Sequence, residues 1–276
     1  CPLALSEIFV KHTASHRSFL VSFDFTCASL SQSTFESSWD QGVKRLRHTW
    51  QRLRLRQQQS SKNIVVAPEV SGRVTISLHN VTLEEVLAAV REAAAGAGIW
   101  VALGSLAIAR GDGRWVNRSF MIDPSGAIAA RYDKIHMFDV DLATGESWRE
   151  SNAYAPGDAV VTVDHTPLGR LGLTICYDLR FPALFEALGQ ARCDAIAIPA
   201  AFTRPTGAAH WHVLQRARAI EASAYVIAAA QVGTHEDGRQ TYGHSLVIDP
   251  WGEVLLDLGG DEPGLGFAEI DPARIA

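Results

Sequence analysis

The stretch LGLTICYDLRFP, residues 171–182, decides the fold of this chain. It starts as an apolar strand, reaches Cys176, and continues through a polar turn to Pro182, a residue suited to the first turn of a helix. A strand that leads directly into a helix is typical of an α/β sheet, and such sheets bind ligands at the carboxyl ends of their strands. We therefore predict that Cys176 lies where this sheet would bind a ligand.

The sequence on both sides of this stretch repeats the alternation of apolar strands and helical segments. Helices are predicted over residues 43–59, 83–98, 182–191 and 208–222, and strands over 18–27, 63–69, 74–81, 99–108, 118–123, 127–134, 159–164, 171–176, 195–200, 224–231 and 244–250. Because strands and helices interleave along the chain, the pattern favours a layered α/β fold over an all-β barrel.

The composition excludes several classes of function. The 276 residues are 47% apolar and 20% charged, which is ordinary for a globular protein, and the net charge of −5 argues against a nucleic-acid partner. The Arg-rich helix predicted at 43–59 is interpreted as a solvated face, with a nucleic-acid or lipid patch as the weaker alternative. No apolar run reaches the roughly 20 residues that span a bilayer, and no signal peptide is evident, so we expect no membrane partner.

Cysteine and histidine usage bears on the compartment and on metal binding. The four cysteines are scattered and form no CxxC pair, which predicts a reduced, cytoplasmic protein rather than a disulfide framework. No group of the ten histidines has metal-ligand spacing along the sequence, so no metal site is expected.

Three residues are candidates for a nucleophile and its helpers. Cys176 would need a base to take its proton and a cation to stabilise the charge that its attack creates. Lys134 ends a predicted strand, and Glu69 follows the apolar segment NIVVAP. Each also has a plainer interpretation, as a core thiol, a surface lysine and a loop carboxylate, and the pattern alone does not join the three. Cys27 and Cys193 are interpreted as core thiols.

Five ordered blocks resemble the carbon–nitrogen hydrolase (nitrilase) superfamily. They are YDKIHMFDVDL (132–142), ESNAYAPGD (150–158), LGRLGLTICYDLRFPALF (168–185), PAAFTRPTGAAHWHVLQRARAIEASAYVIAAAQ (199–231) and YGHSLVIDPWGEVL (242–255). The resemblance implies a four-layer αββα sandwich in one domain, residues 1–276, of which 1–62 match poorly. The Cys-Tyr-Asp continuation and the last two blocks resemble the amidase branch that holds deaminated-glutathione amidase and ω-amidase.

The resemblance also implies catalytic roles. The family uses a Glu–Lys–Cys triad, which carries over to Cys176 as nucleophile, Lys134 as the cation and, through the Pro68–Glu69 pair, Glu69 as the base. Glu150 matches a second family glutamate that helps to hold the lysine and the substrate region. The aromatic residue expected after Pro-Glu is absent, and residues 62–90 also resemble a secretin-type N-terminal module.

The substrate pocket and the assembly are implied in the same way. Helices 182–191 and 208–222 resemble those that family members use for dimer packing, so a homodimer or larger homo-oligomer is expected. Tyr242 and His244 are interpreted as structural. The predicted substrate-binding residues are Tyr177, through its backbone N–H, Arg180, Phe202, His210 and Trp211.

The implied function is hydrolysis of a small carboxylate-bearing amide through a cysteine thioester, with release of ammonia and without any cofactor. Two alternatives stay open at this point. One is a nitrilase or N-carbamoyl hydrolase, and the other is a catalytically impaired binding protein of the same fold.

Overall fold

The computed structural model describes residues 7–12, 17–21, 63–66, 83–141, 145, 147–235 and 238–275. Several sequence predictions lie outside these residues: the helix at 43–59, the strand at 74–81, the triad candidate Glu69 and the cysteine Cys27.

Within the described residues the chain forms three α-helices and seventeen β-strands. The helices are α1 (Leu83–Ala97), α2 (Pro182–Gln190) and α3 (Arg204–Ala222). None of them is both long enough and apolar enough to cross a membrane. The strands are β1 (Glu7–His12), β2 (Arg17–Val21), β3 (Asn63–Val66), β4 (Ile99–Ala109), β5 (Trp115–Ile122), β6 (Ile128–Asp133), β7 (Asp139–Asp141), β8 (Ser147–Arg149), β9 (Val161–Thr166), β10 (Gly169–Leu173), β11 (Ala195–Ala197), β12 (Tyr225–Ala228), β13 (Val232–Thr234), β14 (Gln240–Tyr242), β15 (Leu246–Ile248), β16 (Val254–Asp257) and β17 (Leu265–Ile270).

A six-stranded sheet carries the nucleophile segment. Its order is β16-β15-β12-β11-β10-β9, and the central strands β10, β11 and β12 are parallel. Because parallel neighbours need a crossover, α2 connects β10 to β11 and α3 connects β11 to β12. The central strands are apolar and completely buried at positions such as Leu171, Ile196 and Val226, as expected for strands covered on both faces.

A four-stranded sheet, β3-β4-β5-β6, forms the second layer. β3 pairs in parallel with β4, and α1 is the crossover between them and packs on β4. Met121 and Tyr132 of this sheet belong to the same buried cluster as Leu171 and Leu173 of the six-stranded sheet. The two sheets therefore share one core, with helices on their outer faces, which is the αββα arrangement expected from sequence.

Three smaller groupings complete the described part of the chain. β17, β1 and β2 form a three-stranded sheet in which β1 and β17 are parallel, and β2 lies alongside β3. The pairs β7-β8 and β13-β14 are short antiparallel ribbons.

The predicted boundaries differ from the observed ones in a consistent way. The strands predicted at 171–176, 195–200 and 224–231 are shorter in the structure, because past each observed end only isolated hydrogen bonds continue, such as Cys176 N–H to Pro199 O at 2.8 Å. The helix predicted at 208–222 begins earlier, at Arg204, because Pro205 occupies its first turn. The strands β1, β16 and β17 and the two ribbons were not predicted.

Candidate active site

Cys176 begins a short 3-10 turn, Cys176–Arg180, just beyond the end of β10. Its φ is +47°, in the left-handed region, where residues other than glycine are uncommon and backbone strain concentrates at functional sites. The backbone N–H of Cys176 donates to Pro199 O, just beyond the neighbouring strand β11. The thiol is therefore held at the carboxyl ends of two parallel strands, where the sequence placed it.

A buried carboxylate, Asp178, fixes this turn. One of its oxygens accepts from the backbone N–H of Ile175 at 2.9 Å and from the hydroxyl of Tyr132 at 2.6 Å. The other accepts from the backbone N–H of His136 at 3.0 Å and lies 2.7 Å from His136 Nδ1. Burial, followed by the charge of Asp178, raises the pKa of Tyr132 well above its ordinary value, so Tyr132 remains the donor.

Asp178 was not among the site residues predicted from sequence. The signal available was an acidic residue close to the end of the apolar strand in LGLTICYD, since an isolated buried carboxylate needs several donors. Apart from the nearby N–H of Ile175, those donors come from positions 132 and 136, more than forty residues upstream, which a local pattern does not reveal.

Lys134 lies between the two residues that bind Asp178, so its segment is held against the Cys176 turn. The Lys134 side chain is 1% exposed, and its Nζ donates to Glu150 Oε2 at 2.8 Å. Its backbone N–H donates to Asn117 O at 2.9 Å, which extends the pairing between β5 and β6 by one residue. The sequence-predicted cation is thus a buried ammonium group beside the nucleophile turn.

Glu150 accepts hydrogen bonds from three residues. Its Oε2 accepts the backbone N–H of Phe138 at 2.6 Å as well as the Lys134 ammonium, and its Oε1 lies 3.5 Å from Asn117 Nδ2. A buried ion pair is stable only when its remaining lone pairs are also satisfied, and these contacts meet that need. The structure therefore joins Glu150 to Lys134, whereas Glu69 lies outside the described residues.

Arg180 contacts three of the other predicted substrate-binding residues, namely Tyr177, Phe202 and His210. Its guanidinium lies 5.6 Å from the ring centre of Tyr177 and 5.4 Å from that of Phe202. Its Nη1 and Nη2 are each 3.3 Å from Nδ1 of His210. Its Nε is buried without a hydrogen-bond partner among the described residues. This guanidinium is therefore paired with an imidazole rather than a carboxylate and keeps donor capacity for an anion.

Trp211 differs from the other predicted pocket residues. Its side chain is completely buried, its Nε1 donates to His244 O at 2.7 Å, and its ring lies 4.9 Å from that of Phe202. A ring without accessible surface does not contact a substrate. The sequence-based assignment of Trp211 to substrate binding is therefore revised: it supports Phe202 from behind.

Cys193 contrasts with Cys176. It is buried, and burial raises the pKa of its thiol to about 12. A thiol with such a pKa stays protonated at neutral pH and is a poor nucleophile. This placement agrees with the interpretation of Cys193 as a core thiol.

Comparison with known proteins identifies the family. The family model described as carbon-nitrogen hydrolase matches residues 41–276. The chain belongs to the carbon–nitrogen hydrolase family. The matched range includes residues 62–90, so the resemblance of that segment to a secretin-type module finds no support.

Individual carbon–nitrogen hydrolases agree with this assignment. A deaminated glutathione amidase of Yersinia enterocolitica is 48% identical over 169 residues, which are 60% of this chain and 59% of the relative. The crystal structure of the C. elegans NitFhit protein is 31% identical with a TM-score of 0.71, covering 95% of this chain and 60% of that one. The chain spans about three fifths of the length of the curated relatives it matches first.

A third comparison concerns the fold alone. The amidase from Nesterenkonia sp. AN1 has been solved as a mutant in which acrylamide has added to the active-site cysteine. It is 21% identical to this chain with a TM-score of 0.64, and the match covers 93% of this chain and 90% of that one. Together with NitFhit, it shows that the αββα sandwich is the fold of this chain.

Proposed function

We propose that this carbon–nitrogen hydrolase is an amidase that hydrolyses a small carboxylate-bearing amide, with Cys176 as its nucleophile. The observation that carries the proposal is the contact between the segment around Lys134 and the turn that begins at Cys176. Tyr132 and His136, on either side of Lys134, both bind Asp178, two residues after Cys176. A buried ammonium and a strand-end thiol held together in this way match the needs of acyl transfer.

The first half of the reaction forms a thioester. Glu69 accepts the thiol proton, Cys176 Sγ attacks the amide carbon, and the carbonyl electron pair moves onto oxygen. The Lys134 ammonium and the Tyr177 N–H stabilise that oxyanion; loss of one such donor typically lowers the rate about 10²–10³-fold. The tetrahedral intermediate then collapses, the C–N bond breaks, and ammonia leaves with the proton that Glu69 held.

The second half of the reaction releases the acid. Glu69 takes a proton from water, which attacks the thioester carbon while Lys134 and the Tyr177 N–H again stabilise the oxyanion. The C–S bond breaks and the thiol regains its proton from Glu69. These steps use the chain's own groups and require no metal or organic cofactor.

Arg180 would select the substrate's distant carboxylate. The two Nη atoms, which face the His210 imidazole rather than a carboxylate, form a donor edge of the kind that binds carboxylates in bidentate fashion. The rings of Tyr177 and Phe202 limit the motion of the guanidinium and would provide apolar contact for the substrate's carbon chain.

The decisive experiment replaces the nucleophile. Cys176→Ala should abolish ammonia release while the melting temperature stays near that of the wild type, and Cys193→Ala is the matched control that keeps activity. Mass spectrometry of wild type mixed with a slow amide substrate should show the acyl adduct on Cys176. Ammonia release by Cys176→Ala would overturn the proposal. Near-normal turnover by Glu69→Gln would overturn the assignment of Glu69 as the base.

A substrate panel separates the remaining alternatives. Ammonia release from amides, but not from nitriles or N-carbamoyl amino acids, is the expected result for an amidase. Turnover of none of the three classes, together with ordinary reactivity of Cys176 toward an alkylating reagent, would instead indicate a binding protein.

We also propose that the chain forms a homodimer or larger homo-oligomer through one face of α3. Val213 and Ile220 lie two turns apart on this helix and are exposed, and Ile220 packs beside Gly252, next to the 87%-exposed Trp251. Such an apolar patch favours burial against another surface. Val213→Glu with Ile220→Glu should convert an oligomer to monomers in sedimentation analysis, whereas a wild-type monomer would contradict this assembly. We further propose that residues 1–276 form a single domain and that the protein is cytoplasmic.

A further inference from the structure

Two histidines and an aspartate, which the proposed reaction does not use, meet on the surface of the molecule. His212 Nε2 lies 2.9 Å from one oxygen of Asp257, and His244 Nδ1 lies 2.9 Å from the other. The ligand atoms of all three residues lie within 4.8 Å of one another. The residues come from three elements, namely α3, the loop before β15 and the end of β16, so they converge through the fold alone.

The positions of these side chains are fixed before any ligand arrives. His244 has a φ of +55°, its N–H donates to Gly259 O at 2.7 Å, and its carbonyl accepts from Trp211 Nε1. Its ring stacks on Tyr242 with ring centres 4.3 Å apart. The backbone N–H of Gly259 also donates to Asp257 at 2.8 Å. Outer contacts of this kind orient metal ligands and raise metal affinity.

The donor set suits a divalent transition-metal ion. Two imidazole nitrogens and one carboxylate are ligands that Zn²⁺ takes at about 2.0–2.2 Å in tetrahedral sites, which leaves one position for water. Imidazole donors disfavour Mg²⁺ and Ca²⁺, which prefer oxygen ligands. The side chains are between 24% and 33% exposed, so an ion and its water have access.

The distances require only a small adjustment. Ligand atoms around a tetrahedral zinc lie roughly 3.3 Å apart, given metal–ligand bonds near 2.0 Å. The present separations of 2.9 Å from Asp257 to His212 Nε2 and to His244 Nδ1 must therefore each open by a few tenths of an ångström. Both imidazole rings can turn by that amount about their side-chain bonds, whereas the His244 backbone and the Asp257 carboxylate stay held by Gly259.

We propose that His212, His244 and Asp257 form a binding site for one divalent transition-metal ion that ties α3 to the β15–β16 hairpin. The ion replaces the protons that now join each ring to the carboxylate. It lies outside the reaction centre and takes no part in the chemistry. Trp211 precedes His212 and donates to His244, so the ion also helps to hold Trp211 in place against Phe202.

Metal titration of the full chain tests this site. The chain is first treated with a chelator, and Zn²⁺ binding is measured by isothermal titration calorimetry in a Cys176→Ala background, which removes the candidate nucleophile thiol as a competing ligand. The variants are His212→Gln and His244→Asn, since asparagine tolerates the positive φ at position 244. His165→Asn is the matched control because His165 also has a positive φ but lies on β9, away from the cluster.

The expected result is one Zn²⁺ per chain whose affinity falls at least tenfold in both variants and stays unchanged in the control, since even outer partners of a ligand change affinity about 10–100-fold. Zinc should also raise the melting temperature of the parent and not that of His212→Gln. Binding that is equal in parent and His212→Gln would overturn the site, as would no binding at all. His212→Gln removes one partly exposed ring, so circular dichroism should confirm that it folds.

Discussion

Replacing Glu150 with glutamine tests whether the buried Lys134 ammonium depends on this carboxylate. The substitution keeps the size of the side chain and one acceptor oxygen but removes the negative charge 2.8 Å from Lys134 Nζ. It also places an NH₂ group where Glu150 Oε1 now faces Asn117 Nδ2, so two donors oppose each other. Lys134 is then a buried cation whose Glu150 contact is neutral.

The change in the free energy of unfolding caused by Glu150→Gln is the difference between two opposing contributions. At 2.8 Å and an effective dielectric constant of about 20, the lost attraction is about 6 kcal/mol. Glu150 no longer has to be desolvated as an anion, which returns several kcal/mol. The net expectation is a loss of about 2–4 kcal/mol, which lowers the melting temperature by roughly 4–16 °C for a chain of this size. If Lys134 also loses its orientation toward the oxyanion, kcat falls by up to about 10²-fold.

Thermal unfolding followed by circular dichroism and ammonia release give the two readouts on the same preparations. Glu186→Gln is the matched control, because Glu186 is exposed on α2 and its described side-chain contact is with Gln190. It should leave both the melting temperature and kcat unchanged. A Glu150→Gln protein that melts and turns over like the Glu186→Gln control would refute the dependence of Lys134 on Glu150.

Three further outcomes follow from the same site. Burial raises the pKa of Cys193 to about 12, so an alkylating reagent should label Cys176 near neutral pH and label Cys193 only as the pH nears that value or the protein unfolds, as peptide mass spectrometry can show. Tyr132→Phe removes one donor from the buried Asp178 and should lower the free energy of unfolding in urea by about 1.5–3 kcal/mol; an unchanged denaturation midpoint would contradict the hydrogen bond. Arg180→Gln should raise KM about 10–100-fold for carboxylate-bearing amides and leave KM unchanged for uncharged amides of equal length; an equal effect on both would exclude carboxylate recognition.

The sequence predicts best what depends on local periodicity. From residue 99 onward the two helices and the central buried strands of both large sheets were placed correctly, because apolar runs and helical spacing lie within one segment. Their ends were less accurate, since pairing stops where the chain turns toward the site, as at Leu173 before Cys176. β17 was missed because it pairs in parallel with β1, far away in sequence.

Contacts between distant segments were the features that sequence could not supply. The expectation of no metal site considered spacing along the chain, where His212, His244 and Asp257 are far apart, yet the fold brings their ligand atoms together. Lys134 and Cys176 were proposed as partners only through a family resemblance. The residue that joins their segments, Asp178, belongs to the Cys-Tyr-Asp continuation that resembles the amidase branch, but it was not predicted as a site residue.

Asp178 explains why Cys176 and Lys134 can keep fixed positions relative to each other although neither residue lies in a strand. A positive φ at Cys176 is strained by roughly 1–3 kcal/mol and persists only where the surroundings enforce it. Asp178 enforces it by accepting the N–H of Ile175, immediately before the strained residue. The same carboxylate binds Tyr132 and His136, so the geometry of the turn and the position of Lys134 depend on one buried group. Loss of that carboxylate should therefore disturb nucleophile and cation together, whereas loss of Glu150 should disturb the cation alone.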